Sequence, residues 1–316
     1  MLNRRYIRVK VFQALYKYYQ SEDKDFVAVE KELMGSINRI NELYAYMLLF
    51  VLELRDIAQK KQVSGKEKQL ATDEDLNPNM RFVENKVFKI LDQNIEFKKL
   101  VDRKKLSWYL EESMVKKLFN KIKESEIYGK YLYTGNGTFK EDQEILTRIY
   151  KKFIWEYELL HHHIEGKSIY WMDDLAIVNV AVLKTISNMK ETDQPESNIL
   201  ADLFKDEEDD RDFLKQLLAK TVANDSLYED QIMSAAKNWE VDRIAILDMI
   251  LMKMGLCEMQ NFASIPIKVS LNEYIELSKD YSTPKSKTFI NGILDKLAGQ
   301  LKTSGDIVKT GRGLVG

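Results

Sequence analysis

Only 13 glycines and four prolines punctuate the 316 residues of this chain. A protein built from many short strands needs a turn every eight to twelve residues or so, and turns draw on glycine and proline. A chain so poor in both, and rich in leucine, lysine, glutamate and isoleucine, reads as all-α. The composition, 31% charged and 45% hydrophobic, is that of a globular protein able to bury one large core or two ordinary ones. A net charge of −2 means that any nucleic-acid surface must be a local patch. The single cysteine, Cys257, excludes an intramolecular disulfide and fits a reducing compartment. No leader sequence is evident, and the most apolar stretch, 43–54, contains Glu53 and is too short to span a bilayer. The expected location is cytoplasmic, with no membrane partner.

Apolar periodicity places a first helix over 3–20, with Ile7, Val11, Ala14, Leu15 and Tyr18 as its stripe. Its first turns carry Arg4, Arg5 and Arg8, and the first 20 residues hold five basic groups and no acid. A second helix covers 28–61, followed by a polar linker over 63–79. Helices fill 82–123, Gly135-Asn136-Gly137 marks a turn, and a helical pair covers about 140–190. The run Asp206-Glu207-Glu208-Asp209-Asp210 reads as a solvated turn or a helix start. Helices then fill 211–303. One starts near Pro266, with Val269, Leu271, Ile275 and Leu277 as its apolar stripe; another follows Pro284 and buries Phe289, Ile290, Ile293, Leu294 and Leu297. The glycine-containing tail over 303–316 is expected to be flexible.

A repeat is visible at an offset of 68 residues. Trp171-x-x-Asp174 is echoed by Trp239-x-x-Asp242, and Leu146, Ile149 and Lys152 by Leu214, Leu217 and Lys220. The stretch 142–190 therefore reads as a degenerate copy of the later helices.

No signature of catalysis emerges. There is no glycine-rich phosphate loop, no Gly-x-Ser-x-Gly and no His-Glu-x-x-His. His161, His162 and His163 are adjacent on a helix and point three ways, which is unsuited to one metal ion. Cys257 sits in an apolar run and reads as a core thiol. Neither catalytic residues, metal nor cofactor are expected.

Two ends of the chain share a pattern. One is Arg4-Arg5-Tyr6-Ile7-Arg8 with Phe12-Gln13-Ala14-Leu15-Tyr16. The other runs from Asn238-Trp239 and Asp242-Arg243 through 248–258, Ile265-Pro266, Asn272-Glu273 and Lys285-Ser286-Lys287 to Phe289-Ile290-Asn291-Gly292-Ile293-Leu294-Asp295. Together they resemble the NusB family of bacterial transcription antitermination factors. The resemblance implies NusB-like helical bundles with a large helical insertion after the first helix. The domains would be the arginine-rich first helix (1–21), the insertion (22–205), the C-terminal part of the NusB-like domain (206–302) and the tail. It implies a non-enzymatic RNA-binding factor that pairs with NusE, a small-subunit ribosomal protein, on boxA-type RNA of ribosomal RNA transcripts, within an antitermination complex on RNA polymerase. By position, Arg4, Arg5, Arg8, Gln13, Tyr16, Lys287, Phe289 and Asn291 would face RNA. Glu258, Asn272, Glu273 and Lys285 would face the protein partner. Lys285 stands where many family members carry an acid, and Gly255 where they usually carry alanine. From Pro266 onward eight basic residues face five acidic ones, so this end is net basic. The alternative reading is a protein-only adaptor scaffold for transcription or ribosome components.

Overall fold

The computed structural model describes residues 2–237, 244–305, 307, 309 and 310. Helices and their connections make up all of it, with no strand among the described residues. The helices are α1 (Arg4–Gln20), α2 (Phe26–Lys66), α3 (Asp73–Leu76), α4 (Lys86–Gln93), α5 (Ile95–Lys104), α6 (Glu112–Lys123), α7 (Glu126–Thr134), α8 (Phe139–Ile149), α9 (Glu158–Lys167), α10 (Ile169–Asn188), α11 (Glu207–Ala223), α12 (Asp225–Ala236), α13 (Ile246–Asn261), α14 (Ile267–Tyr281) and α15 (Pro284–Ser304). A 3-10 turn, Tyr109–Glu111, leads into α6, and a π-helical turn, Tyr150–Ile154, continues α8. No described helix is long and apolar enough to cross a membrane.

The chain forms two compact units, one of residues 38–203 and one of 2–37 with 204 onward. Each is organised on a helix that is buried on every side, a pattern only a fully surrounded helix can carry. In the 38–203 unit that helix is the later part of α2, where Leu43, Tyr44, Met47, Leu48, Phe50, Val51 and Leu54 are all buried. An aromatic group closes on it. Tyr46 stacks on Trp108 at 3.8 Å, Phe50 meets Trp108 edge-on at 4.8 Å, and Trp108 Nε1 donates to the Tyr46 carbonyl at 2.9 Å. In the other unit the central helix is α13, buried continuously from Ile250 to Met259 and packed by α1, α11, α12, α14 and α15.

Several boundaries differ from the sequence reading. The expected linker over 63–79 holds the end of α2, which runs to Lys66, and the short α3. α3 exists because Thr72 and Asp75 form a reciprocal cap: Thr72 N–H donates to Asp75 at 3.1 Å, and Asp75 N–H donates back at 3.2 Å. The acidic run is a helix start, with Asp206 capping α11 and four acids in its first turn, where the helix dipole favours negative charge. α14 is rotated from the expected stripe. Its buried face is Ile267, Ser270, Tyr274, Leu277 and Ser278, while Val269 is exposed. Two hydroxyl-bearing residues, Ser270 and Tyr274, take the place of aliphatic ones there because a buried carboxylate on α13 accepts from both.

Trp239 and Asp242-Arg243, in both the repeat and the family pattern, lie outside the described residues, as does the tail beyond 310. Within the described part the offset of 68 extends further than the pattern first noted. Thr138 and Asp206 cap α8 and α11, and Asp142 and Asp210 are both buried one turn on. Each of these aspartates accepts backbone N–H groups at a helix start: Asp142 from Lys86 at 3.0 Å, Asp210 from Lys205 at 3.2 Å and Asp206 at 3.3 Å. The histidines diverge. His161 Nε2 pairs with the Trp155 carbonyl, His163 Nε2 with the Tyr46 hydroxyl, and His162 is exposed.

Tyr44 tests how the 38–203 unit closes. Its buried hydroxyl shares a 2.5 Å hydrogen bond with Thr185 and accepts from the Ala201 N–H at 2.9 Å. Burial raises its pKa to about 12, so it stays neutral. Tyr44→Phe strands both partners and is expected to destabilise the protein by about 1–3 kcal/mol in urea unfolding. A loss under ~0.5 kcal/mol would show that these bonds are not needed.

Candidate nucleic-acid interface

α1 begins where the Asn3 side chain accepts the Tyr6 N–H at 2.9 Å. Its first turn holds no acid and two arginines, and cations at a helix N-terminus oppose the dipole. The three arginines are therefore held by tertiary partners, each different.

Arg8 is buried. Its Nε and Nη2 each donate to Glu258 of α13 at 2.7 Å, a two-pronged pair with side-chain exposures of 3% and 0%. The remaining acceptor sites of Glu258 take Ser270 Oγ at 2.7 Å and Tyr274 OH at 3.0 Å. Burial alone would lower the Arg8 pKa, but the hydrogen bonds and charge of Glu258 outweigh it and the net shift is upward. Tyr274 is held well above the ordinary phenol range, by burial first and then by Glu258.

Arg5 is half exposed and grips Glu273 of α14 with Nε at 2.9 Å and Nη2 at 2.8 Å. Hydrogen bonding from Arg5 pulls the Glu273 pKa down, against the opposing effect of partial burial. Arg4 Nε pairs with Asp210 at 2.8 Å, its Nη2 contacts Asp209, and its guanidinium lies 4.2 Å from the centre of the Phe213 ring. Phe213 meets Phe262 edge-on at 5.0 Å. These groups line an open cleft between the start of α1, α11 and the α13–α14 connection. Lys309 crosses its inner wall, donating to the Phe262 carbonyl at 2.9 Å and to that of Glu258 at 3.3 Å, and Thr310 N–H donates to Ala263 at 3.0 Å. Two residues of the tail expected to be flexible are thus tied to the site.

Of the residues singled out from sequence, the fold gathers Arg4, Arg5, Arg8, Glu258 and Glu273 into one network. Two of them are turned inward: Arg8, expected toward RNA, and Glu258, expected toward a protein partner, are buried against each other, because each is the charge that makes the other's burial tolerable. Lys287 is exposed on α15. Tyr16, Asn272, Lys285 and Asn291 stand exposed on their helices, Gln13 is half-buried and Phe289 is buried. Ser270, Tyr274, Asp210 and Phe213 were not singled out. For Ser270 and Tyr274 the available signal was their i, i+4 spacing, which puts both on one helix face with Ile267 and Leu277.

Two outcomes test this geometry. Glu258→Ala leaves the buried Arg8 guanidinium with only its 3.5 Å contact to Glu273 and is expected to cost about 3–5 kcal/mol, whereas Arg8→Met combined with Glu258→Leu costs less than the two single losses added. Additive losses in urea unfolding would mean that the pair is not coupled. Because the folded pKa of Glu273 is depressed, its contribution is complete above the unfolded value of about 4.3 and is lost as pH falls through the lower folded value. Carboxyl NMR of Glu273 should titrate below that value, and Arg5→Ala should move the midpoint upward; an unmoved midpoint would remove Arg5 as the cause.

The profile of the NusB family matches residues 177–299. The chain is 37% identical over 139 residues to the transcription antitermination protein NusB of Salinibacter ruber (strain DSM 13855 / M31), covering 43% of this chain and 87% of the relative. It is 42% identical over 105 residues to that of Chloroherpeton thalassium (strain ATCC 35110 / GB-78), covering 33% of this chain and 50% of the relative. Over 89 residues it is 35% identical to that of Natranaerobius thermophilus (strain ATCC BAA-1301 / DSM 18059 / JW/NM-WN-LF), covering 28% and 64%. No solved structure matches the chain at a significant level. With more than a third of the aligned residues shared along most of the Salinibacter protein, this chain belongs to the NusB family.

Proposed function

We propose that this protein is a transcription antitermination factor that binds boxA-type RNA together with NusE and joins the antitermination complex on RNA polymerase. The observation that carries the reading is the placement of Arg4 and Arg5. Both guanidiniums line an open cleft, pre-oriented by carboxylates, beside the buried pair that sets the pitch of α1. Arginine forks suit phosphate and base edges, and a cleft this open admits single-stranded RNA. In this reading Arg4 and Arg5 contact RNA, Arg8 is a positioning residue, and Lys287, Asn291, Tyr16 and Gln13 extend the surface. Phe289 supports it from the core. Asn272, Lys285 and the outer edge of Glu273 face the protein partner, while Glu258 acts through α1. The insertion over 22–205 contains the helical unit of 38–203, and its helices α8 to α10 are a degenerate copy of α11 to α13.

One observation favours the second reading, a protein-only adaptor. Each of the three arginines already has a carboxylate partner, so RNA must displace Asp209, Asp210 and Glu273.

Binding to boxA RNA and to a scrambled RNA, with and without NusE, separates the two. Selective binding that tightens with NusE is the expected result; equal, weak binding to both RNAs overturns the RNA reading. Arg4→Ala and Arg5→Ala should each weaken boxA binding and together reduce the salt slope by about two. A slope unchanged in the double variant would place the RNA elsewhere.

A further inference from the structure

The 38–203 unit contains a cleft that the α1 site does not explain. Lys61, Gln62 and Gly65 of α2 form one side, Phe119 and Lys123 of α6 another, and Asn79 with Tyr133 closes the rim. The wall is fixed by hydrogen bonds. Gln62 Nε2 donates to the Asn79 carbonyl at 3.1 Å, and Asn79 Nδ2 donates to the Leu132 carbonyl at 3.0 Å. The Gln62 Oε1 atom is out of contact with solvent and accepts no hydrogen bond among the described residues. A buried acceptor without a donor costs stability unless something supplies one.

The charges are equally one-sided. Lys61 is hydrogen-bonded to Asn120, and Lys123 makes no ion pair among the described residues. Burial, and then the like charges of Lys123 and Lys116, lower the Lys61 pKa. The acid at the lip, Asp75, is ionised and already paired: Lys68 lies 2.7 Å away, Thr72 N–H donates to it, and the hydrogen bond from Lys68 brings its pKa down to about 2. At the rim Tyr133 is 67% exposed, with no ring stacked on it among the described residues.

Clustered lysines call for a polyanion, and an open aromatic face for a planar base. We propose that this cleft binds a nucleotide unit, with the phosphate at Lys61 and Lys123 and the base on Tyr133. The unit is supplied by single-stranded RNA or by a free mononucleotide. This goes beyond the α1 reading and does not depend on it.

The test uses the full chain carrying Arg4→Ala and Arg5→Ala, so that failure at α1 and failure here are separable. Adenosine and uridine 5′-monophosphates, inorganic phosphate and a short boxA-free RNA are titrated at low salt, following the Tyr133 ring resonances, assigned with Tyr133→Phe. Both nucleotides should shift those resonances, phosphate should bind more weakly, and Lys123→Ala and Tyr133→Ala should each reduce nucleotide affinity by about tenfold. RNA binding tighter than mononucleotide assigns the cleft to a transcript; equal binding assigns it to a free nucleotide. Tyr133 resonances that move with neither probe, or affinities unchanged in both variants, overturn the proposal.

Discussion

The Arg8–Glu258 pair is the interaction on which the 2–37 and 204–310 part of this protein turns. A buried carboxylate in the middle of a largely apolar helix is tolerable only when its acceptor sites are filled, and here two guanidinium nitrogens and two hydroxyls fill them. That requirement fixes three helices at once. α1 must present Arg8 to α13, and α14 must turn Ser270 and Tyr274 inward at the expense of Val269. The network adds geometric specificity that apolar packing alone does not, because a helix rotated by one residue would leave several of these groups without partners.

The outward chemistry follows from the inward one. With Arg8 locked, Arg4 and Arg5 are delivered to the cleft at fixed positions, and their carboxylate partners pre-orient them. Those partners also set a threshold. An incoming phosphate competes with Asp209, Asp210 and Glu273, so only a ligand offering several anionic groups in the right places gains by displacing them. The candidate surface thus sits on a helix whose inner face is an ion pair.

Both units repeat one solution to the packing problem: a central helix buried on all sides, wrapped by shorter ones. The recurrence of capped helix starts at an offset of 68 residues, with Asp142 and Asp210 in equivalent places, shows the same local devices at work in each. They differ in what lies at the centre. The 38–203 unit centres on stacked aromatic rings around Trp108, the other on charge.

Much was legible in the residues. The scarcity of glycine and proline settled the all-α class, because helices need few turns per residue ordered. The stripe of Ile7, Val11 and Leu15 and that of Phe289 to Leu297 placed two helices and their buried faces, because a 3.6-residue period leaves little choice. The clustering of Arg4, Arg5 and Arg8 marked the candidate surface. What sequence could not supply was which charges face inward. Arg5 and Arg8 are alike as residues, yet one is half exposed and the other sealed. Periodicity reads hydrophobicity, and a buried ion pair does not register in it. Only the packing of α1 against α13 and α14 brings together charges 250 residues apart in the chain, and that proximity decides which arginine holds the fold and which is left to meet a ligand.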